Sequence, residues 1–137
     1  MSNIYILRAI GAGKIKIGIS DDVPRRLAEI QAMCPVPLEL IDTLERADFD
    51  AEATMHRLVR EHWSHGEWFD EEALPKVQRH FEIVRAAVRA LAETLATSVP
   101  EGQMDAVKSN LYAAGAANIA HELTNITGQS IMDRSAA

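Results

Sequence analysis

The amino-acid sequence predicts an α+β protein: a small three-stranded antiparallel sheet flanked by helices, followed by a C-terminal helical extension. Three observations point there. Two strand-like runs, "NIYILRAI" and "KIKIGIS", are joined by "GAG". A third alternating run, "LELIDTLE", comes only after a helix-like stretch. Beyond residue 74 the apolar positions recur every three or four residues, with no further strand pattern.

"NIYILRAI" is rich in β-branched and aromatic residues, which suit a pleated surface. The glycines of "GAG" mark a tight turn. In "KIKIGIS", Ile15, Ile17 and Ile19 fall on one face and Lys14, Lys16 and Gly18 on the other, the period of a half-buried strand. Together the segments predict an antiparallel hairpin. In "DDVPRRLAEIQAM", Asp21 or Asp22 caps a helix, Pro24 suits its first turn, and Leu27, Ile30 and Met33 or Cys34 form its apolar stripe. "CPVP" ends it. In the third strand Leu38, Leu40 and Ile41 are expected to point inward. Asp48 or Asp50 opens a second helix running toward Trp63, and "SHGEWF" reads as a loop holding two large aromatics.

Asp70, Glu71 and Glu72 suit the positive end of a third helix. Its apolar residues Leu74, Val77, Phe81, Val84, Val88, Leu91 and Leu95 repeat every seven. Packing on its own domain is the favoured explanation, because globular helices share this spacing. A homodimer seam through residues 74–95 is the other. "TSVPEG" breaks that helix. Residues 103–124 read as an alanine-rich helix interrupted at Gly115, and the last dozen residues are expected to fray. The expected organisation is a compact domain over residues 1–73, a long amphipathic helix over 74–97, and a helical extension with a tail over 98–137.

With 137 residues and 47% apolar composition, the chain can bury one ordinary core. No apolar run approaches the ~20 residues that span a bilayer. The first residues lack a secretory pattern, so a cytoplasmic location and no membrane partner are the default expectations. Cys34 is the lone cysteine, which excludes an internal disulfide and a four-cysteine zinc site. His56, His62 and His65 lack the paired spacing of a structural zinc site. The net charge is −6, unevenly spread. Residues 1–30 carry five basic and three acidic groups, residues 31–75 three against eleven, and residues 76–137 six of each. An acidic chain is a poor non-specific nucleic-acid binder, yet its basic groups gather on the hairpin and first helix.

Five short motifs occur in order: "IYI" (Ile4 to Ile6), "KIG" (Lys16 to Gly18), "RRL" (Arg25 to Leu27), "EATMH" (Glu52 to His56) and "GEWF" (Gly66 to Phe69). On these residues the chain resembles the GIY-YIG nuclease superfamily, in the phage-type branch, shared with the meiotically up-regulated gene type, whose second triplet starts with lysine. The resemblance covers about residues 3 to 70. It implies a metal-dependent endonuclease that hydrolyses phosphodiester bonds in DNA with one divalent cation, Mg²⁺ or Mn²⁺. Tyr5 matches the tyrosine implicated in activating the attacking water. Lys16 matches the first residue of the second triplet. Arg26, eight residues beyond Gly18, matches the arginine that contacts the scissile phosphate. Glu52 matches the metal-ligating glutamate, and His56 recurs in this branch one helical turn later. Lys14, Gly18 and Arg25 join them as substrate-binding candidates, Gly18 by leaving room for a phosphate to approach.

The residue types suit the chemistry. A guanidinium donates two parallel hydrogen bonds to phosphate and stays charged. Magnesium takes one or two carboxylates and keeps several waters. Tyr5 needs a nearby cation to act as a base at neutral pH, and Lys16 and the metal are expected to supply that field. Two departures stand out. The position four residues after Arg26 is Ile30, which transfers no proton, and the stretch after the glutamate helix, "HWSHGEWF", holds no asparagine. Taken singly, each residue also has a plainer explanation. Tyr5 and Lys16 suit an ordinary strand, Arg25 and Arg26 suit helix charges paired with Asp22 or Glu29, Glu52 suits a surface acid, and His56 a packed histidine. The alternative to an active nuclease is therefore a weak or inactive module of the same fold, DNA-associated or protein-binding, that dimerises through its C-terminal helix.

Overall fold

A computed structural model describes residues 2–136, and the side chains of residues 2–128. The chain divides into two compact units, Met1–Glu82 and Ile83–Ala137.

The first unit opens with the hairpin of β1 (Ser2–Ala9) and β2 (Lys14–Ser20), antiparallel, with Tyr5 opposite Gly18 and Ile6 opposite Ile17. Helix α1 (Val23–Met33) follows, capped by the Asp22 carboxylate, which accepts from the Arg25 N–H at 3.1 Å. Gln31 then ties down the proline-rich turn: its side chain donates to the Val36 carbonyl at 3.0 Å and accepts from the Leu38 N–H at 2.8 Å. Strand β3 (Leu38–Ala47) pairs with β1 on its other side. Helix α2 (Phe49–Leu58) is capped by Asp48, which accepts from the Ala51 N–H at 2.8 Å.

The sheet is larger than the three strands expected. "WSHGEWFD" is a hairpin rather than a loop: a short 3₁₀ turn (Arg60–His62) leads into β4 (Trp63–His65) and β5 (Trp68–Asp70). Gly66, at φ 54, supplies the left-handed residue the turn requires. Strand β5 pairs with β2, so the order is β3-β1-β2-β5-β4, antiparallel throughout. Three-residue strands are too short to show a period of two, which is why the sequence hid them.

Placing β1 between two strands buries both of its faces. Ile4 and Ile6 lie on one face with Ile15 and Ile17 of β2, all fully buried. On the other, Tyr5, Leu7 and Val23 form a cluster against which Leu27, Ile30 and Leu38 pack. Leu40 was expected inward but is 41% exposed, and Leu44 takes the buried place. The cause is a register shift between β1 and β3 at Ile6/Leu7, which re-aims the edge strand.

Helix α3 (Leu74–Ser98) follows another 3₁₀ turn (Glu71–Ala73). Its first apolar residues, Leu74, Val77 and Phe81, are buried in the first unit. In the second unit the seven-residue pattern loses its hold: Leu91 is exposed and Ala92 is fully buried. That unit continues with a 3₁₀ turn (Glu101–Gln103), α4 (Met104–Ala113) and α5 (Ala117–Ala136), the two helices parted around Gly115. Among the described residues its buried ones are Ala92, Ala120 and Leu123, and Arg89 pairs with both Glu93 and Glu122. The tail expected to fray is helical to Ala136, and Ala137 lies outside the described residues. Among the described residues no helix is long and apolar enough to cross a membrane.

Candidate active site

The site is built on the edge of β2 at Ile17 and Gly18. Tyr5 and Gly18 face each other across the first hairpin. A Cβ on Gly18 would lie 2.3 Å from the Tyr5 hydroxyl oxygen and 2.4 Å from Cζ. The room left by Gly18 is therefore filled by the phenol, not kept for an approaching phosphate, which corrects the expectation for this residue. Gly18→Ala is expected to destabilise the protein by about 2 kcal/mol, as overpacking does. The cost should vanish when Tyr5 is also replaced by alanine, and a double-mutant cycle in urea checks the coupling. An undiminished cost in the double variant would point to the backbone instead.

Tyr5 is 1% exposed. Burial first, then the negative charge of Glu67, pushes its hydroxyl up to about 12; Arg26 opposes this and Glu52 adds to it. At neutral pH the group is a protonated phenol. Lys16 does not supply the acidifying field expected of it. Its ammonium is paired with Glu67 at 2.9 Å and sits 5.6 Å from the centroid of the Trp68 ring.

Helix α2 brings in Glu52, a carboxylate only 8% exposed. Burial raises its pKa, and so does Glu67, both through its charge and as a hydrogen-bond partner; His56 and Lys16 oppose the shift. His56, one turn later, donates from Nε2 to the Ile17 carbonyl at 2.9 Å and lies 3.5 Å from Glu52 Oε1. A carbonyl only accepts, so Nε2 carries the proton. The ring also meets Phe69 edge-on, with centroids 5.1 Å apart. Ile17 donates its own N–H to the Glu67 carbonyl at 3.1 Å. The pairing of β5 with β2 ends at Lys16 and Trp68, and α2 and the β4–β5 turn satisfy Ile17 instead. The same two hydrogen bonds bring Glu52 and Glu67 together.

The other candidates lie further out. Arg26 is close enough to Tyr5 to influence it, with its side chain 46% exposed and its Nε 3.4 Å from Glu29. Arg25 pairs with Asp21 and Glu29, and Lys14 with Asp70. Glu67 is the residue that sequence reasoning missed. It stands inside "GEWF", beside two aromatics, and nothing in its spacing from Glu52 ties the two together.

Among the described residues, no group of three or more His, Cys, Asp or Glu side chains is arranged to hold a metal ion. The donor chemistry nonetheless fits a hard divalent cation. Two carboxylates converge, one of them buried and raised in pKa by the other, and magnesium needs no more than two when water and substrate oxygens complete its shell.

No curated protein and no solved structure matches the chain. The family model described as the T5orf172 domain matches residues 3–92, which take in β1 from its second residue, β2 to β5, α1, α2 and most of α3. That span is well over half the sequence and holds Tyr5, Lys16, Arg26, Glu52, His56 and Glu67, and the chain belongs to the T5orf172 domain family.

Proposed function

We propose that this protein is a metal-dependent endonuclease of the GIY-YIG type that hydrolyses phosphodiester bonds in DNA. The observation that carries the proposal is the convergence of Tyr5, Lys16, Glu52, His56 and Glu67 at one edge of β2. Membership of a domain family found in phage and in nuclease-related proteins supports it.

Glu52 and Glu67 would hold a Mg²⁺ or Mn²⁺ ion. Such an ion, when bound, supplies Lewis acidity and an activated water. The rest falls to the side chains. Arg26, at the rim, donates two parallel hydrogen bonds to the scissile phosphate. Tyr5 keeps its proton on Oη and donates it to a phosphate oxygen, held in place by the close fit over Gly18. Lys16 neutralises Glu67, so that two carboxylates can stand together. His56 is a positioning residue: its bond to Ile17 fixes the ring that borders Glu52.

Purified protein is expected to nick and linearise plasmid DNA with Mg²⁺ or Mn²⁺, and to stop on addition of EDTA. Absence of metal-dependent cutting of duplex, branched and single-stranded DNA would overturn the proposal. Two observations favour a second function, a DNA-associated or protein-binding module that dimerises through α3: the net charge of −6, and the exposure of Ile83 and Leu91 at 50% and 52%. A concentration-dependent mass without metal-dependent cutting would select it.

A further inference from the structure

Ten Lys and Arg side chains lie in the Met1–Glu82 unit. Eight are paired with carboxylates: Arg8, Lys14, Lys16, Arg25, Arg26, Arg46, Lys76 and Arg79. Arg57 and Arg60 are not, among the described residues. Arg57 donates only to the Thr54 hydroxyl at 3.0 Å. Both guanidiniums are solvent-exposed. In a unit whose other cations are paired, these two stand without an acid partner, Arg57 in the last turn of α2 and Arg60 three residues on, in the 3₁₀ turn.

They also line one groove, of about 420 Å³, with His56, Trp63 and Phe69. Trp63 is 57% exposed, an unusual place for an indole on an acidic surface. It is held there: Nε1 donates to the Gly66 carbonyl at 3.0 Å across the β4–β5 turn. A tethered aromatic beside two guanidiniums that no carboxylate pairs, among the described residues, is the chemistry that binds single-stranded nucleic acid, with bases stacking on the ring and phosphates on the cations. His56 belongs to both places, since it lines this groove and borders Glu52.

We propose that the groove of Arg57, Arg60 and Trp63 binds an unpaired nucleotide segment next to the phosphate to be cut. This deepens the nuclease proposal and rests on it for the word "cut", although binding itself does not require cleavage. Charge complementarity selects a polyanion, and the exposed indole selects one with unstacked bases over a closed duplex. Sequence motifs gave no hint of it, because Arg57 and Arg60 look like ordinary helix charges until their lack of partners is seen.

The test uses the full chain in EDTA, so that cutting does not interfere. Anisotropy of a fluorescein-labelled twelve-residue oligothymidylate reads binding, with a hairpin duplex and polyglutamate as competitors. Trp63→Leu is expected to weaken binding about tenfold, and Trp63→Tyr to keep most of it. The double variant Arg57→Gln, Arg60→Gln is expected to lower the slope of log K against log salt by about 1.4. Affinities and slopes equal to the parent protein's would overturn the proposal. So would no oligothymidylate binding by the parent, tighter binding of the duplex, or displacement by polyglutamate at equal charge. Cleavage assays separate the two proposals. Metal-dependent cutting with unchanged binding by the groove variants overturns the groove alone. Groove-dependent binding without cutting by any preparation overturns the nuclease alone.

Discussion

Replacing Glu52 by glutamine is expected to abolish metal-dependent cleavage and, in the same protein, to raise thermal stability. The two effects share one cause. Glu52 is buried beside Glu67, so its ionised form is disfavoured in the fold and its pKa is raised. A glutamine of the same shape carries no charge to desolvate. The gain should be on the order of 1 kcal/mol, a size common for stabilising substitutions. The pH dependence follows from the direction of the shift. A carboxyl whose folded pKa lies above its unfolded value favours the fold at low pH, and that contribution is lost as pH rises through the folded pKa. The difference in melting temperature between variant and parent should therefore grow as pH rises above the ordinary glutamate value of 4.5. Mn²⁺ should stabilise the parent by mass action and leave the variant unmoved. A variant that melts below the parent at neutral pH, in EDTA, would show that Glu52 is a structural partner of His56 instead. Retained cutting would remove Glu52 from the site altogether.

Arg26→Ala is expected to lower cleavage by about 10² to 10³-fold, the loss typical of one oriented donor to a transition-state charge. Stability should barely change. The side chain is nearly half exposed, and its pair with Glu29 is a surface ion pair worth about 0–1 kcal/mol. Arg26→Lys should recover only part of the rate, because an ammonium cannot make the two parallel bonds of a guanidinium. Arg25→Ala provides the contrast. Arg25 is held by Asp21 and Glu29, whereas Arg26 is the arginine whose charge lowers the Tyr5 pKa. Equal losses for the two arginines would mean that the helix offers a general cationic rim and no specific phosphate ligand. Single-turnover cleavage rates, with melting curves on the same preparations, decide between them.

Glu52 and Arg26 entered through motif order, since neither is distinguishable from a surface helix charge by local pattern. The hairpin partners were more directly legible. Strict alternation in "KIKIGIS" placed Ile15 and Ile17 in the core, and the capping aspartates were narrowed to pairs from which the backbone chose Asp22 and Asp48. What escaped were features made by contacts distant in sequence. Glu67 lies fifteen residues from Glu52, and only the hydrogen bonds of His56 and Glu67 to the backbone of Ile17 bring them side by side. Lys16 is solvated or paired depending on what the β4–β5 turn carries past it. Leu40 and Leu44 exchange places because of a bulge that no alternation announces.

By itself the sequence determined the α+β class, the first hairpin, the helix starts and the order of the motif residues, because period, capping and turn chemistry are local. Only the tertiary structure decided what those residues face. It gave the space over Gly18 to the Tyr5 phenol and the Lys16 charge to Glu67, and among the described residues it left Arg57 and Arg60 without acids. Burial and charge pairing depend on which distant segments meet, and no short stretch of chain encodes that meeting alone.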